Sequence, residues 1–236
     1  MGYPTNRRTM RLLLVRHGQT PSNVAGLLDT GHPGPGLTAL GARQAAALPD
    51  ALSERVIDGI AVSTLVRTHQ TASPLAEHRQ LEPLELDGFR EVEAGDLEMS
   101  DRHEDHLLYL ETVFAWGGGN LTRRMPGGPY GTEFVARFDD AVAKVAATGW
   151  QTAVVLSHGA AIRSWTSVRA EGVDLHAMAY TPLENTGLVE VEGDPENGWR
   201  YVGMSAGPLG GHVLADELAD DPTGESVAEE RADAES

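Results

Sequence analysis

Three short apolar runs, each followed directly by polar or charged side chains, constrain the fold of this chain more than any other feature. They span residues 11–15, 59–62 and 152–156. Their length and their content of β-branched residues and leucine predict buried strands. Helical patterns lie between them, and this alternation is typical of a mainly parallel sheet covered by helices.

Two of the intervening helices have recognisable starts. Thr38 can cap a helix over 39–48, and Thr132 can cap a second helix that stops at Gly149. Four apolar residues fall on one face of the second helix: Phe134, Phe138, Val142 and Val145. We therefore expect an α/β fold, a three-layer sandwich with helices on both faces of a mostly parallel sheet.

The sheet is expected to gain an antiparallel edge close to the end of the domain. Residues 187–192 and 199–204 flank a turn-rich segment at 193–198, as in a β-hairpin. Between 96 and 131 the helical and strand patterns break down. We expect a small lid insertion in that segment.

The chain divides into three parts. Residues 1–10 are polar and are expected to be flexible, and residues 11–211 are expected to form one domain that contains the lid. Residues 212–236 carry nine acidic side chains and no aromatic one. That composition predicts a mostly disordered tail with a solubilising role.

Charge and composition argue against several classes of partner. The net charge is −17 and Lys144 is the only lysine, so we expect no nucleic-acid partner. The polar first ten residues and the short apolar run behind them predict no signal peptide and no membrane anchor. The lack of cysteine excludes disulfides and thiolate metal sites and fits a cytoplasmic location. The oligomeric state is not readable from the sequence.

Residues suited to chemistry follow each of the three strands. Arg16 and His17 come after the first strand, Ser63 and Arg67 after the second, and His158 after the third. Ligands of open α/β sheets bind outside the carboxyl ends of parallel strands, so these side chains are expected to meet in one crevice. Two guanidinium groups and two imidazoles suit a phosphoryl group, and a neutral imidazole can hold phosphorus covalently. The residues therefore predict phosphoryl transfer.

Such a reaction also needs a proton for the departing alkoxide. A carboxylic acid in a sheltered site can supply that proton when burial raises its pKa. The candidates are Glu91, Glu93 and Asp96. The chemistry alone leaves the choice among these three open.

Five groups of residues share the order and approximate spacing of a known family. They are Leu12–Thr20 with Asn23; Leu37 and Thr38 with Gly41, Gln44 and Ala45; Ser63 through Arg67 to Ala72; Glu91 with Gly95; and Ser157–Gly159 with Ile162, Arg163 and Asn185. Together they resemble the histidine phosphatase superfamily, which includes the phosphoglycerate mutases. The resemblance extends over residues 11–185.

The resemblance implies a role for each matched position. It implies that His17 is the nucleophile and that Glu91, at the family's acid position four residues before Gly95, is the proton donor. The phosphate pocket that it implies consists of Arg16, Arg67 and His158, with further contacts from Asn23 and the amide of Gly159. It implies no metal and no diffusible cofactor.

Three functions are weighed on this basis. The preferred one is hydrolysis of a small-molecule phosphomonoester, the second is phosphoglycerate mutase-type transfer, and the third is a noncatalytic phosphate or phosphoprotein binding module. The segment 96–131 contains no lysine, unlike the lid of the glycolytic mutases, which favours transfer to water. Departures from the family at Thr64 and at 127–133 leave the substrate open.

Two pairs of residues in the lid segment have weaker interpretations. Arg123 and Arg124 could grip a second anionic group of a substrate. His103 and His106 are spaced as on one helix face, but their charged neighbours indicate a solvated face. We expect no metal site there.

Overall fold

The computed structural model describes residues 9–216, 221–224 and 227. Expectations about residues 1–8 and about the other positions of the tail lie outside the described residues. The expected flexibility of residues 1–10 is wrong for Met10, which is buried at the start of the first strand. The strands are β1 (Met10–Arg16), β2 (Gly59–Val62), β3 (Leu84–Glu85), β4 (Thr152–Ser157), β5 (Ala170–Glu171), β6 (Leu188–Asp194) and β7 (Gly198–Ser205). The helices are α1 (Pro21–Val24), α2 (Ala39–Ala51), α3 (Val66–Arg79), α4 (His103–Gly117), α5 (Gly131–Ala147), α6 (Gly159–Arg169) and α7 (Leu175–Tyr180). Within the described ranges, no helix combines the length and apolar character needed to cross a membrane.

The strands form one mixed sheet in the order β3-β2-β4-β1-β6-β7-β5. Strands β3, β2, β4 and β1 are parallel neighbours, and their register sets Arg16 beside Ser157. Strand β6 pairs antiparallel with both β1 and β7. The mostly parallel sheet and the hairpin near the end of the domain are therefore confirmed. The three strands that precede the chemistry-bearing residues lie side by side.

The central strand β1 is buried on both of its faces. Leu12 and Leu14 belong to a core shared with helices α4, α5 and α6, whereas Leu13 and Val15 belong to a core shared with α2 and α3. Side chains alternate between the two faces of a strand, so one continuous apolar run serves both helical layers. Burial of each such side chain contributes roughly 1.5–3 kcal/mol. The expectation of helices on both faces is confirmed.

The first predicted helix begins as expected, and the second does not. Thr38 precedes α2, and its Oγ1 accepts a hydrogen bond from the N–H of Gly41 at 3.0 Å. Helix α5 already includes Thr132 in its first turn, so the cap predicted at Thr132 is wrong. The side chain of Glu133 instead accepts the N–H of Tyr130 at 2.8 Å. This contact satisfies a backbone donor at the helix start without a threonine cap.

The segment 96–131 contains more regular structure than its sequence indicates. Helix α4 lies within it and buries Tyr109 and Trp116 in the core shared with α5 and α6. The indole N–H of Trp116 donates to the carbonyl oxygen of Arg123 at 2.9 Å and ties the following loop to the helix. Whether the segment acts as a lid over a substrate stays a prediction.

His106 on α4 departs from expectation, because it is fully buried. The interpretation of His103 and His106 as a solvated face is therefore wrong for His106. Its Nε2 lies 3.1 Å from the carbonyl oxygen of Ser100, just before the helix. Among the residues that the structure describes, no cluster of three His, Asp or Glu side chains could hold a metal ion.

The described parts of the acidic segment 212–236 pack on the domain, where disorder was expected. Residues 212–214 form a short 3-10 turn, and Gln44 donates to the carbonyl oxygen of Leu214 at 2.8 Å. Farther along, Asp221–Gly224 form a second turn, which is buried. This second turn lies at the carboxyl edge of the parallel strands.

Candidate active site

The carboxyl ends of β1, β2 and β4 bring the expected side chains together. His17 follows β1 and His158 follows β4, and their ring centroids are 5.1 Å apart. Ser63 follows β2, and Arg67 lies in the first turn of α3. All four side chains are buried. The strand ends therefore bring these four side chains together, as predicted.

His17 is held in a single tautomer. Its Nδ1 lies 2.8 Å from the carbonyl oxygen of Gly18, and a carbonyl can only accept, so Nδ1 carries the proton. Burial lowers the pKa of His17 well below 6.5, and the positive charges of Arg67 and Arg16 lower it further. The imidazole is therefore neutral at ordinary pH, with a lone pair on Nε2.

The backbone around His17 is fixed from several sides. The N–H of Gly18 donates to Thr71 Oγ1 at 2.9 Å, and Asn185 Nδ2 donates to the carbonyl oxygen of His17 at 3.2 Å. A Cβ on Gly18 would lie only 2.8 Å from the carbonyl oxygen of Gly41. Glycine after the histidine therefore allows the β1 loop and helix α2 to approach closely.

The guanidinium group of Arg67 lies among these side chains. Its Nη2 donates to the carbonyl oxygen of Asp29 at 3.0 Å, and its Nε donates to Nδ1 of His158 at 3.3 Å. Its Nη1 is buried without a hydrogen-bond partner in the described part of the chain. An unsatisfied buried donor is costly, so this atom marks a place where an acceptor would be stabilised.

His158 is neutral and uses both ring nitrogens. Because Nδ1 accepts from Arg67, the proton is on Nε2, which lies 2.9 Å from Ser63 Oγ. Burial lowers the pKa of His158 well below 6.5, and the positive charge of Arg67 lowers it further. His158 thus connects the ends of β2 and β4 and holds the guanidinium group of Arg67.

Arg16 and Asn23 share one carboxylate partner, Asp221. Arg16 is fully buried, and its Nη1 donates to the carbonyl oxygen of Leu183 at 2.9 Å. Its Nη2 and the Nδ2 of Asn23 both contact the carboxylate of Asp221, at 2.6 and 2.9 Å. A Cβ on Gly159, the first residue of α6, would lie 3.1 Å from Arg16 Nε. The structure therefore brings Arg16, Asn23 and Gly159 together, with Asp221 among them.

The three candidate carboxylates differ sharply in environment. Glu91 is 1% exposed, and burial raises its pKa although three backbone N–H groups donate to it. Glu93 is partly exposed and pairs with Arg90 at 3.1 Å and with Arg137 at 3.4 Å. Asp96 is exposed. Glu91 alone among the three has the sheltered environment that a proton donor needs.

Two groups at the site have no role in the sequence-based expectations. Arg163 on α6 is fully buried and donates from Nη2 to the carbonyl oxygen of Thr223 at 2.8 Å. Burial and the charge of Arg16 lower its pKa to about 10, which leaves the guanidinium group charged at neutral pH. The other group is the turn Asp221–Gly224. Its Asp-Pro-Thr-Gly sequence has the turn signature that could have revealed it.

Comparison with known proteins finds relatives over most of the domain. A family model described as histidine phosphatase superfamily (branch 1) matches residues 12–206. The PE-PGRS family protein PE_PGRS11 of Mycobacterium tuberculosis is 38% identical over 221 residues, which are 87% of this chain and 38% of that protein. The adenosylcobalamin/alpha-ribazole phosphatase of Salmonella typhimurium is 39% identical over 109 residues, which are 45% of this chain and 52% of that protein. The chain thus spans about half or less of the length of these two relatives.

A solved structure shows the same fold. The mycobacterial glucosyl-3-phosphoglycerate phosphatase is 25% identical to this chain and superposes with a TM-score of 0.69. The superposition covers 85% of this chain and 100% of that chain.

Proposed function

The chain belongs to the histidine phosphatase superfamily, and on that premise we propose that it hydrolyses phosphomonoesters through a covalent phosphohistidine on His17. The observation that carries the proposal is the tautomer of His17. Its Nδ1–H is committed to the carbonyl oxygen of Gly18 at 2.8 Å, so Nε2 is free to attack. The relatives named as phosphatases support a small phosphorylated molecule as substrate.

In the first step, a bond forms between His17 Nε2 and phosphorus, and the bond from phosphorus to the leaving oxygen breaks. The peripheral phosphoryl oxygens gain support from Arg16 and Arg67. Each of these arginines has one buried nitrogen, Nε and Nη1 respectively, without a partner in the described residues. Fixed charged donors of this kind stabilise the charge of a phosphoryl transition state.

The other pocket residues have supporting roles in this scheme. Asn23 and the amide of Gly159 would donate to phosphoryl oxygens beside Arg16. His158 holds Arg67 through Nδ1. Its contact with phosphate requires that Nε2–H, now 2.9 Å from Ser63 Oγ, turn from that hydroxyl to a phosphoryl oxygen.

Glu91 is the proposed proton carrier. Its raised pKa, caused by burial, favours the protonated acid that a departing alkoxide requires. In the second step, the oxygen of water bonds to phosphorus, the bond from phosphorus to His17 Nε2 breaks, and the Glu91 carboxylate takes up the proton from that water. Phosphate then leaves, and His17 and Glu91 return to their starting states. The scheme uses only protein groups, so we propose that it needs no added metal or cofactor.

Transfer to water is favoured over transfer back to the product. A mutase must hold the product for rephosphorylation, and segment 96–131 offers no lysine for that task. Arg124 is also engaged locally, since its Nε donates to the carbonyl oxygen of Gly128 at 2.9 Å and its guanidinium group lies over Tyr130. It is therefore a poor candidate for gripping a second anionic group.

The proposal is tested with purified protein, a chelator, and a panel of phosphosugars, phosphoglycerates, nucleotides and an aryl phosphate. Release of phosphate should be seen in wild type and in His78→Ala, an exposed-histidine control, and should be abolished in His17→Ala. Rapid quenching should trap a phosphoenzyme only when His17 is present. Equal background rates in wild type and His17→Ala would refute the proposal. Phosphoglycerate interconversion faster than phosphate release would establish the mutase instead.

A further inference from the structure

The turn Asp221–Gly224 lies directly on the candidate phosphate pocket. Aspartate, proline and glycine occupy the first, second and fourth positions, as is typical of a type I turn. The N–H of Gly224 donates to the carbonyl oxygen of Asp221 at 3.0 Å and closes the turn. The N–H of Leu183 donates to the carbonyl oxygen of Gly224 at 2.9 Å and fixes the turn to the loop before β6.

The carboxylate of Asp221 occupies donors that a bound phosphate would use. Arg16 Nη2 lies 2.6 Å from each of its oxygens, and Asn23 Nδ2 donates to one of them at 2.9 Å. Arg16 is fully buried, so the ion pair is charge-assisted and weakly screened by salt. The aspartate carboxylate therefore lies where the resemblance places a phosphoryl oxygen.

Thr223 also contacts two of the arginines at the pocket. Its Oγ1 accepts from Arg16 Nη2 at 3.0 Å, and its carbonyl oxygen accepts from Arg163 Nη2 at 2.8 Å. A Cβ on Gly159 would collide with that carbonyl oxygen, so the turn packs against the start of α6. The turn thus covers three of the expected phosphate ligands: Arg16, Asn23 and Gly159.

We propose that the turn Asp221–Gly224 is an intramolecular competitor of phosphate, one that must leave Arg16 and Asn23 before a phosphomonoester binds fully. The inference rests on the proposed function for the nature of the ligand. A phosphomonoester carries about −1.5 to −2 charges at neutral pH against one for a carboxylate. A phosphate dianion therefore displaces the turn, whereas a carboxylate ligand gains no advantage over Asp221. The turn raises KM and weakens phosphate binding without altering the groups that perform the chemistry.

Inorganic phosphate is the direct probe of this competition. In calorimetric titrations of the full chain, Asp221→Asn should bind phosphate at least about tenfold more tightly than wild type, the smallest effect expected from removing one buried charge-assisted contact. Asp140→Asn is the matched control, because it removes the same charge from an exposed pair with Lys144. In assays, Asp221→Asn should lower KM and the inhibition constant of phosphate by the same factor, with kcat unchanged.

Gly224→Ala provides a second test that keeps Asp221. A Cβ at this position would collide with Arg16 Nη1, which is fully buried and held by the carbonyl oxygen of Leu183, so the substitution pushes the turn rather than the arginine out of place. It should also tighten phosphate binding. Unchanged or weaker phosphate binding in both folded variants would refute the proposal that the turn competes with phosphate.

The two proposals can fail separately. Tighter phosphate binding in Asp221→Asn without hydrolysis of any phosphomonoester would support competition by the turn and refute the proposed phosphatase activity. Hydrolysis that depends on His17, with phosphate binding equal in wild type and both turn variants, would refute competition by the turn and support the proposed phosphatase activity.

Discussion

The carboxylate of Glu91 accepts the backbone N–H of Ala161 at 2.8 Å and so connects the candidate proton donor to the first turn of helix α6. The N–H of Ala160 donates to the other oxygen at 3.2 Å. The helix N-terminus stabilises the anion, and burial opposes it. Burial prevails, since the pKa of Glu91 is raised above 4.5. The same contacts would stabilise the carboxylate that proton donation leaves behind in the proposed mechanism.

Glu91→Gln should discriminate between leaving groups. Alkyl phosphates need a proton on the departing oxygen, so their kcat/KM, which reports the first step, should fall by about 10²–10⁴-fold, while that of nitrophenyl phosphate should fall less than about tenfold. Glu93→Gln is the matched control, because Glu93 lies in the same segment but pairs with Arg90 and Arg137. Steady-state rates on both substrates decide the question. An equal loss on both would exclude Glu91 as the acid.

The pH dependence of kcat/KM for an alkyl phosphate should be bell-shaped with a mildly acidic optimum. In the proposed mechanism neutral His17 is the active form, and its pKa lies well below 6.5, so activity should fall only at low pH. The proposed mechanism also requires protonated Glu91, whose pKa lies above 4.5, so activity should fall as the pH rises through that pKa. Glu91→Gln should lose the alkaline limb for the same substrate. A profile that rises steadily into alkaline pH would contradict these assignments.

Folding stability should decrease as the pH falls below 6.5. The pKa values of buried His17 and His158 are lowered from 6.5, so the unfolded chain takes up protons there before the folded chain does. Each histidine contributes a slope of about 1.4 kcal/mol per pH unit in that window. Urea titrations at several pH values measure how the free energy of unfolding changes with pH. His158→Asn should flatten the dependence and exposed His78→Asn should not; identical slopes would show that burial of His158 is not the cause.

Gly34→Ala should weaken phosphate binding through Arg67. Gly34 has φ +68°, and its Cβ would lie 2.5 Å from Arg67 Nη1, so the substitution displaces the guanidinium group. Gly149→Ala is the matched control, with φ +80° and nothing within 4 Å of its Cβ. Both variants should lose about 1 kcal/mol of stability from backbone strain. Only Gly34→Ala should lose about tenfold or more in kcat/KM, and equal kinetics in both variants would count against the role of Arg67.

The sequence was sufficient to predict the sheet and the meeting of its polar residues. The runs that contain Leu12, Ile60 and Val154 are buried on both faces, and a period-free apolar run bounded by turns has few other interpretations. The meeting of His17, Arg67 and His158 was predictable because parallel strands end at a common edge of the sheet. These inferences depend only on neighbouring residues and on general topology.

The features that the sequence did not predict depend on contacts between distant residues. Thr132 is a good cap by residue type, but the backbone near Tyr130 turns earlier because Glu133 satisfies its N–H. Charged neighbours made His106 look solvated, whereas helix α4 turns it inward. Asp221 finds its partner Arg16 more than two hundred residues away in an otherwise acidic segment. No local pattern specifies such pairings.

The parallel pairing of β1 with β4, which sets Arg16 beside Ser157, also bears on how such chains diverge. His17, Arg67 and His158 follow adjacent strands in the middle of a hydrogen-bonded sheet, whereas segment 96–131 is attached outside it. A duplicated gene can therefore accumulate changes in the outer segment while the central register is inherited intact. Substrate choice and the chemistry proposed for His17 can therefore change independently.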